Sequence, residues 1–272
     1  MYARALLVAV LGAVMMSSVD ASEPVLLHAA GSLRGALTDV AEAFAADSGI
    51  KVEAKYGPSG TLRDEISAGS RAQVFASANM EHPQSLAAAG KSSAVVLFAR
   101  NRLCALVRPG LSVTPETLLE TMLRDDVKLG TSTPKADPSG DYAFAVFARA
   151  EAMKSGSRKV LEQKAQQLTG GLSSAVGHAG RSVYGWHVAE GRADIFLTYC
   201  TGALVAQRKN AGQQIVALPE ALAVGADYGM AVMNDSPPAA YRFALFIVSS
   251  KGQQILARHG FSAPALPQGE QR

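Results

Sequence analysis

Three short turns that carry serine or glycine are the parts of this sequence best suited to bind a ligand. They lie at residues 29–32, 57–60 and 137–140, each between an apolar, strand-like run and an amphipathic, helix-like run. The first N–H groups of a helix lack partners within the helix and carry a partial positive charge, so a helix start binds anions readily. Three such starts around one cleft would hold an oxyanion without a metal ion or a bound cation. That is the chemistry of a binding protein rather than of a catalyst.

Strand-like and helix-like segments alternate along the chain and place each turn at the end of a strand. Residues 25–29 form an apolar run that predicts a buried strand, and residues 51–56 alternate apolar with polar side chains as a half-buried strand does. Residues 127–130 predict the strand that leads into the third turn. This alternation predicts an α/β protein with mainly parallel sheets. Ligands of open sheets bind beyond the carboxyl ends of the strands, where the three turns fall.

Composition and charge argue against a nucleic-acid partner. The 272 residues include 26 Lys and Arg and 23 Asp and Glu, a net charge of +3, and both signs are interspersed along the chain. Proteins that bind nucleic acids concentrate basic residues in a patch or a stripe, which this sequence lacks. A mild positive balance is compatible with an anionic small ligand. A chain of this length suits one large domain or two smaller lobes.

The N-terminal residues have the pattern of a cleavable export signal. Arg4 supplies the positive start, residues 5–16 an apolar core, and residues 19–21 (Val-Asp-Ala) a small-x-Ala cleavage site. The apolar core of about 12 residues is short for a membrane span. The sequence therefore predicts a mature chain that begins at Ser22 and works outside the cytoplasm. A retained N-terminal anchor is the alternative interpretation of the same segment.

The two cysteines, Cys104 and Cys200, each lie in an apolar, strand-like run. In an oxidising compartment such a pair can form a disulfide. A buried cysteine can equally serve as a small hydrophobic side chain. Because spacing does not show whether the two Cα atoms come within reach, both interpretations stay open.

The chain lacks the compact motifs of common enzyme classes. Its five histidines do not have the spacing of a zinc site, and no His-Glu-x-x-His occurs. Residues 57–60 only approach the Gly-x-Ser-x-Gly turn of serine hydrolases. A secreted serine hydrolase that uses Ser32 or Ser59 is the alternative from another class, but no His–Asp partner set is visible for it. We expect no enzymatic activity, no cofactor and no metal ion held directly by protein side chains.

The turns, their order and their surroundings resemble the periplasmic molybdate-binding proteins of ABC importers. The resemblance covers essentially the whole mature chain and rests on short stretches that are weak singly but follow the family's order. They are residues 29–33 (Ala-Ala-Gly-Ser-Leu), 59–62 (Ser-Gly-Thr-Leu), 74–78 (Val-Phe-Ala-Ser-Ala), 190–194 (Glu-Gly-Arg-Ala-Asp), Tyr199 and 259–261 (His-Gly-Phe). The resemblance implies a two-lobed type II periplasmic binding protein, in which each lobe is a mixed, mainly parallel sheet flanked by helices.

The resemblance also implies how the chain is divided and what it does. The implied segments are a signal peptide at 1–21, the first part of lobe 1 at 22–101, lobe 2 at 102–226 and a return segment of lobe 1 at 227–272. The implied function is capture of molybdate or tungstate by lobe closure in the periplasm, by a monomer that delivers the anion to an importer's membrane permease. Sulfate, phosphate or an organic acid is the alternative ligand. A signalling sensor of the same fold is a further alternative, although such sensors lack an export signal.

In the resembling family, hydroxyl and backbone N–H groups surround the oxyanion. The matching positions are Ser32, Ser59 and Tyr199 for the hydroxyls, and Ser139 and Arg181 for the backbone N–H groups. Each position also has a structural alternative. Ser32 and Ser59 are typical helix N-caps. Ser139 suits a turn, Tyr199 suits the core and Arg181 suits a solvated loop.

Two features depart from the family pattern. Arg181 is long and charged, whereas that position is usually small or aliphatic. Residues 131–142 look more like the archaeal molybdate and tungstate binders, which add two carboxylates to form a six-coordinate metal centre. Asp137 matches one carboxylate, and Thr198 stands in the place of the other. With one carboxylate missing, we expect a four-coordinate oxyanion held by hydrogen bonds, and Asp137 as a helix cap.

Overall fold

The computed structural model of the protein describes residues 23–172, 174, 182–262 and 264. Nine strands and ten α-helices occupy these residues. The predicted export signal lies outside the described residues. Among those that are described, no helix is both long enough and apolar enough to cross a membrane.

Apart from residues 96–107 and 165–169, the elements follow one another in the order that the sequence pattern predicts. The strands are β1 Val25–Ala30, β2 Val52–Gly57, β3 Val74–Ala76, β4 Val96–Val107, β5 Leu129–Ser132, β6 Ala165–Thr169, β7 Ile195–Tyr199, β8 Gln214–Ala217 and β9 Gly225–Val232. The helices are α1 Arg34–Ser48, α2 Ser59–Ser67, α3 Glu81–Ala88, α4 Leu118–Leu123, α5 Pro138–Met153, α6 Ser157–Lys164, α7 Val183–Ala189, α8 Cys200–Lys209, α9 Pro238–Val248 and α10 Ser250–Arg258. Short 3₁₀ turns lie at Gly31–Leu33 and Glu220–Leu222.

The strands form a mixed sheet that the long strand β4 holds together. The first half of β4, residues 96–102, pairs antiparallel with β9, and the second half, residues 103–107, pairs antiparallel with β7 and β8. The strand order is β2-β1-β3-β9-β4-β7-β5-β6, with β8 beside β4. β1 pairs parallel with β2 and β3, and β5 pairs parallel with β6 and β7. The parallel pairs carry the predicted ligand-binding turns at their carboxyl ends.

Helices pack on the strands and anchor these turns. α1, α9 and α10 pack together, and α9 also contacts β1 and β9. The rings of Phe44 in α1 and Phe243 in α9 have centroids 5.2 Å apart. At the other end of the sheet, α5 packs on β5 and β7 and buries Phe147 completely. The first and third turns therefore leave buried strands, the second leaves the edge strand β2, and all three lead into helices with a buried face.

Two strands differ from what the sequence pattern predicts. The pattern predicts two strands, residues 95–101 and 103–107, but β4 runs through Arg102 without a break. Arg100 and Arg102 are exposed while Asn101 is buried, so the polar residues alternate as a strand requires. The pattern also predicts a helix over 157–167, but α6 ends at Lys164 and β6 follows. β6 pairs with β5 at the edge of the sheet, so it carries exposed glutamines and no apolar pattern.

Strands β4 and β9, called the crossing strands below, lie near the predicted lobe boundaries. β4 exchanges β9 for β7 and β8 between Arg102 and Leu103, close to the boundary predicted between residues 101 and 102. β9 contains residue 227, where the return segment is predicted to begin. The division into lobes that move separately remains a prediction.

A disulfide joins Cys104 in β4 to Cys200, the first residue of α8. The two Cα atoms lie 4.9 Å apart. The question that the sequence leaves open is thus answered in favour of the cross-link. The disulfide links the start of α8, directly after Tyr199, to β4, the strand that pairs with β7.

Candidate functional site

The three turns line one cavity with a volume of about 270 Å³. Ser32 and Ser59 come from the first two turns, and Asp137 comes from the third. Tyr199, at the end of β7, is the third of the predicted hydroxyl donors at this cavity. The other lining residues are Ala30, Gly31, Arg34, Tyr56, Gly57, Pro58, Ala78, Thr169, Gly170, Val183 and Tyr184. The cavity lies at the carboxyl ends of the parallel strands, as the fold class predicts.

Ser32 lies in the 3₁₀ turn that precedes α1 and is partly buried. Its Oγ is 3.1 Å from the hydroxyl oxygen of Tyr228. Among the described residues, no side chain caps this turn or α1. Ser32 is therefore not the helix N-cap that its residue type suggests, and the N–H groups at the start of this segment are not taken up by a capping side chain.

Ser59 is the first residue of α2 and is 1% exposed. Its Oγ accepts the N–H of Ala78, just after β3, at 3.1 Å. The N-cap position belongs to Pro58. Because this bond uses the Ser59 oxygen as an acceptor, the hydroxyl proton is left to donate to a ligand in the cavity.

Tyr199 is 1% exposed, and its hydroxyl donates to the carbonyl of Ala78 at 3.4 Å. Ala78 thus contacts both predicted hydroxyls, through its N–H to Ser59 and through its C=O to Tyr199. Burial raises the pKa of Tyr199 well above 10.0. The phenol therefore stays protonated, and an anion bound by this hydroxyl has to take its single proton from the long bond to Ala78.

Asp137 caps α5, because its carboxylate accepts the N–H of Ser139 at 3.1 Å. The predicted capping role is confirmed. The same side chain also lines the cavity. Burial raises the pKa of Asp137 above its ordinary value of 3.8, although the Ser139 N–H lowers it. When protonated, this carboxyl can donate to an anion, and when ionised, it repels one.

The two predicted backbone donors are placed differently from the hydroxyls. Ser139 is fully buried, its N–H already donates to Asp137, and the cavity wall at this turn is formed by Asp137 instead. A ligand bound through the Ser139 N–H has to share it with that carboxylate. Arg181 lies outside the described residues, so its contact remains a prediction.

The second and third turns touch directly. The N–H of Gly60 donates to the carbonyl of Ala136 at 3.0 Å. A Cβ at residue 60 would collide with the carbonyl oxygen of Lys135. Glycine is therefore required for this close approach, which joins the wall that carries Ser59 to the wall that carries Asp137.

Several lining residues are not singled out by the sequence pattern. The guanidinium of Arg34 lies 4.6 Å from the centroid of the Tyr56 ring, on the exposed side of the cavity. Gly170 follows β6 with a φ of 80°, and a Cβ there would lie 2.6 Å from the Cβ of Asp137. Burial raises the pKa of Tyr184, near Asp137. The sequence does not indicate that Gly170 lines a cavity, because the edge strand before it lacks an apolar pattern.

Comparison with known proteins identifies the family. The family model of the bacterial extracellular solute-binding proteins matches residues 25–262. The chain belongs to this family. It is a solute-binding protein of the ABC-importer type. An uncharacterized protein of Pasteurella multocida is 34% identical over 207 residues, which is 76% of this chain and 86% of that protein. The molybdate-binding protein ModA of Mycobacterium tuberculosis is 27% identical over 244 residues, 88% of this chain and 85% of that protein.

Solved structures show the same fold. The periplasmic molybdate-binding protein of Azotobacter vinelandii matches with a TM-score of 0.70 at 19% identity, over 90% of this chain and 100% of that one. The sulfate-binding protein SubI of Mycobacterium tuberculosis matches with a TM-score of 0.75 at 19% identity, over 92% of this chain and 89% of that one. The predicted type II periplasmic binding protein fold is confirmed.

The donor set of this solute-binding protein suits an anion better than a cation. Hydroxyl groups and the start of α2 face the cavity, and they stabilise negative charge. Zn²⁺, for example, is held by three or four imidazole, thiolate or carboxylate side chains together. Within residues 23–172, 174, 182–262 and 264, no group of three or more such side chains is placed to hold a metal ion.

Proposed function

We propose that this protein captures molybdate or tungstate in the periplasm and delivers it to the membrane permease of an ABC importer. The observation that carries the proposal is the meeting of Ser32, Ser59 and Tyr199 at one cavity. Ser59 in particular uses its oxygen within the protein and keeps its proton for a ligand. The ModA relative, named as a molybdate-binding protein, supports the choice of ligand.

Neutral donors are sufficient to bind such an anion. Each hydrogen bond to a charged group contributes roughly 1.5–3 kcal/mol. Several of them together, less the costs of desolvation and closure, allow sub-micromolar affinity. The protein needs no cofactor for this and performs no reaction on its ligand.

Closure and selectivity follow from the placement of the donors. Ser32 and Ser59 follow β1 and β2, whereas Tyr199 and Asp137 belong to the β7 and β5 side of the sheet. An anion that contacts both sides stabilises the closed arrangement through its higher affinity for that state. Sulfate has shorter bonds to oxygen than molybdate, so in a cavity sized for the larger anion it leaves donors unpaired, which is costly.

Thermal unfolding of the mature chain from Ser22 tests the ligand. Molybdate, tungstate, sulfate and phosphate are compared with a blank. A ligand at a thousand times its dissociation constant adds about 4 kcal/mol to the free energy of unfolding, which raises the melting temperature by several degrees. We expect this shift with molybdate and tungstate. A rise in melting temperature with sulfate or phosphate alone contradicts molybdate and tungstate as the ligands. It remains consistent with a binding protein for another anion.

An organic anion with a second charged group is the other candidate, and Arg34 favours it. Its guanidinium stacks on Tyr56 at the exposed side of the cavity, beyond the buried hydroxyls. An inorganic tetrahedral oxyanion held by Ser59 and Tyr199 has no second charged group that could reach Arg34. Titration with a three-carbon phosphorylated acid, on the wild type and on Arg34→Gln, distinguishes the two. Binding that depends on Arg34 supports the organic anion, and binding of molybdate that does not depend on it supports the oxyanion.

A further inference from the structure

A buried chain of hydrogen bonds connects Ser32 to the strands that cross the middle of the sheet. Tyr228 in β9 is fully buried, and its hydroxyl oxygen lies 3.1 Å from the Oγ of Ser32. Asn101 in β4 donates from Nδ2 to that Tyr228 oxygen at 3.3 Å and to the Oγ1 of Thr201 at 2.8 Å. Thr201 is the second residue of α8, two positions after Tyr199. These hydrogen bonds therefore connect Ser32, which lines the cavity, to the start of α8 through the crossing strands β9 and β4.

The direction of these hydrogen bonds is set by the Asn101 amide. Its Oδ1 accepts the N–H of Arg102 at 2.9 Å, so the oxygen faces the backbone and the NH₂ group faces the two hydroxyls. An amide NH₂ group only donates. Tyr228 and Thr201 must both accept from it.

The Tyr228 hydroxyl can then donate its proton to Ser32. Its oxygen already accepts from Asn101, and the Ser32 Oγ lies within hydrogen-bond distance for its proton. Burial raises the pKa of Tyr228, so this proton is retained. With its oxygen accepting from Tyr228, Ser32 has its own proton left for the cavity.

We propose that Tyr228 and Asn101 are positioning residues that hold the Ser32 hydroxyl as a hydrogen-bond donor toward an anion in the cavity. This inference rests on the proposed function, since it requires an anion bound at Ser32. The buried pair contacts the ligand only through Ser32. Its effect on affinity must therefore disappear when the Ser32 hydroxyl is absent.

A double-mutant cycle tests this dependence by isothermal titration calorimetry. The wild type is titrated with molybdate, tungstate, sulfate and phosphate, and the tightest binder is used for Tyr228→Phe, Ser32→Ala and the double variant. We expect Tyr228→Phe to weaken binding about three- to tenfold, and Ser32→Ala about tenfold or more. The double variant should bind within about twofold of Ser32→Ala alone. A loss of folding stability common to both backgrounds does not produce this pattern.

Tyr142→Phe is the matched control. Tyr142 is a partly buried tyrosine whose ring also packs on Tyr199, with centroids 6.2 Å apart, but whose hydroxyl faces the backbone at Asp227. It should change affinity by less than about twofold. Unchanged or tighter binding by Tyr228→Phe overturns the inference, and so do additive losses in the double variant. If none of the four anions binds the wild type, the proposed function and this inference both fail; if the wild type binds, only the cycle bears on the inference.

Discussion

The two walls of the cavity offer different groups to a ligand. The wall that follows β1 and β2 presents the hydroxyls of Ser32 and Ser59, which have no charge to gain or lose. The wall that follows β5 and β7 presents phenols and the carboxyl of Asp137, whose pKa burial raises. The first wall can only favour an anion, whereas the second wall favours or opposes it according to its protonation. We therefore expect pH to act on the binding of an anion through the second wall.

The difference arises from how each helix start is capped. α2 and the 3₁₀ turn before α1 have no capping side chain among the described residues, so their first N–H groups are not consumed by one. α5 is capped by Asp137, which takes the N–H of Ser139 for itself. A similar strand–turn–helix unit thus begins without a capping side chain in one wall and supplies its own carboxylate in the other.

The largest effect is expected from the disulfide that supports the second wall. Replacing Cys104 and Cys200 with alanine removes a cross-link between residues 96 positions apart. The chain-entropy relation predicts a loss of roughly 4–5 kcal/mol in the free energy of unfolding. Denaturant unfolding of the double variant measures it, and the wild type treated with reductant is the control. Equal stability of the variant and the oxidised wild type would show that the cross-link contributes nothing.

Ser59→Ala should give the largest loss of affinity in the first wall. It removes a donor to the anion, which predicts binding about ten- to a hundredfold weaker. It also leaves the buried N–H of Ala78 without its acceptor, which costs about 1–3 kcal/mol of stability. Calorimetric titration and thermal unfolding measure the two effects. Ser67→Ala, an exposed serine at the end of the same helix, should change neither, and an equal loss in that variant would contradict the assignment.

Asp137→Asn should alter the pH dependence of binding through the second wall. In the wild type, affinity should rise as the pH falls through the raised pKa of Asp137, by at most about tenfold per pH unit. The asparagine keeps an acceptor for Ser139 and carries no charge, so it should bind the dianion more tightly than the wild type at neutral pH. Titrating both proteins at each pH cancels the protonation of the ligand itself. Parallel pH profiles would show that Asp137 does not face the anion.

The same substitution tests the stability of the ligand-free protein. Because the pKa of Asp137 is raised in the folded state, its favourable contribution is present below the unfolded value of about 3.8 and is lost as the pH rises through the folded value. Above that range the wild type should be less stable than Asp137→Asn. Chemical unfolding of the two proteins at several pH values measures this difference.

Arg34→Gln should have the smallest effect if the ligand is an inorganic oxyanion. The guanidinium is exposed and stacks on Tyr56, so water and salt screen its charge. We expect less than a twofold change in affinity and a modest loss of association rate at low salt. Stopped-flow binding at two salt concentrations measures both. A large loss of affinity would instead move Arg34 into the binding site and favour an organic anion.

The first wall was more accessible to sequence reasoning than the second. Ser32 and Ser59 lie within a few residues of strands and helices that apolar periodicity predicts. The structure places both serines at the cavity. Their exact hydrogen bonds were not predictable, since the N-cap alternative was equally compatible with the local sequence. The second wall includes Gly170, which follows the polar edge strand β6, and Tyr184, which lies in α7. Neither residue has a local sequence pattern that indicates a place in a ligand-binding cavity.

The amino-acid sequence by itself determined the α/β fold, the order of most of its elements and the turns that line the cavity. These features are local, because strand and helix periodicity and turn residues act over a few positions. Only the tertiary structure decided that Cys104 is bonded to Cys200. It also decided that Asp137 lines the cavity while Ser139 is buried, and that Ser32 contacts Tyr228, which accepts a hydrogen bond from Asn101. These contacts join residues far apart in the chain, and their geometry depends on how the strands cross and pack rather than on any residue's neighbours.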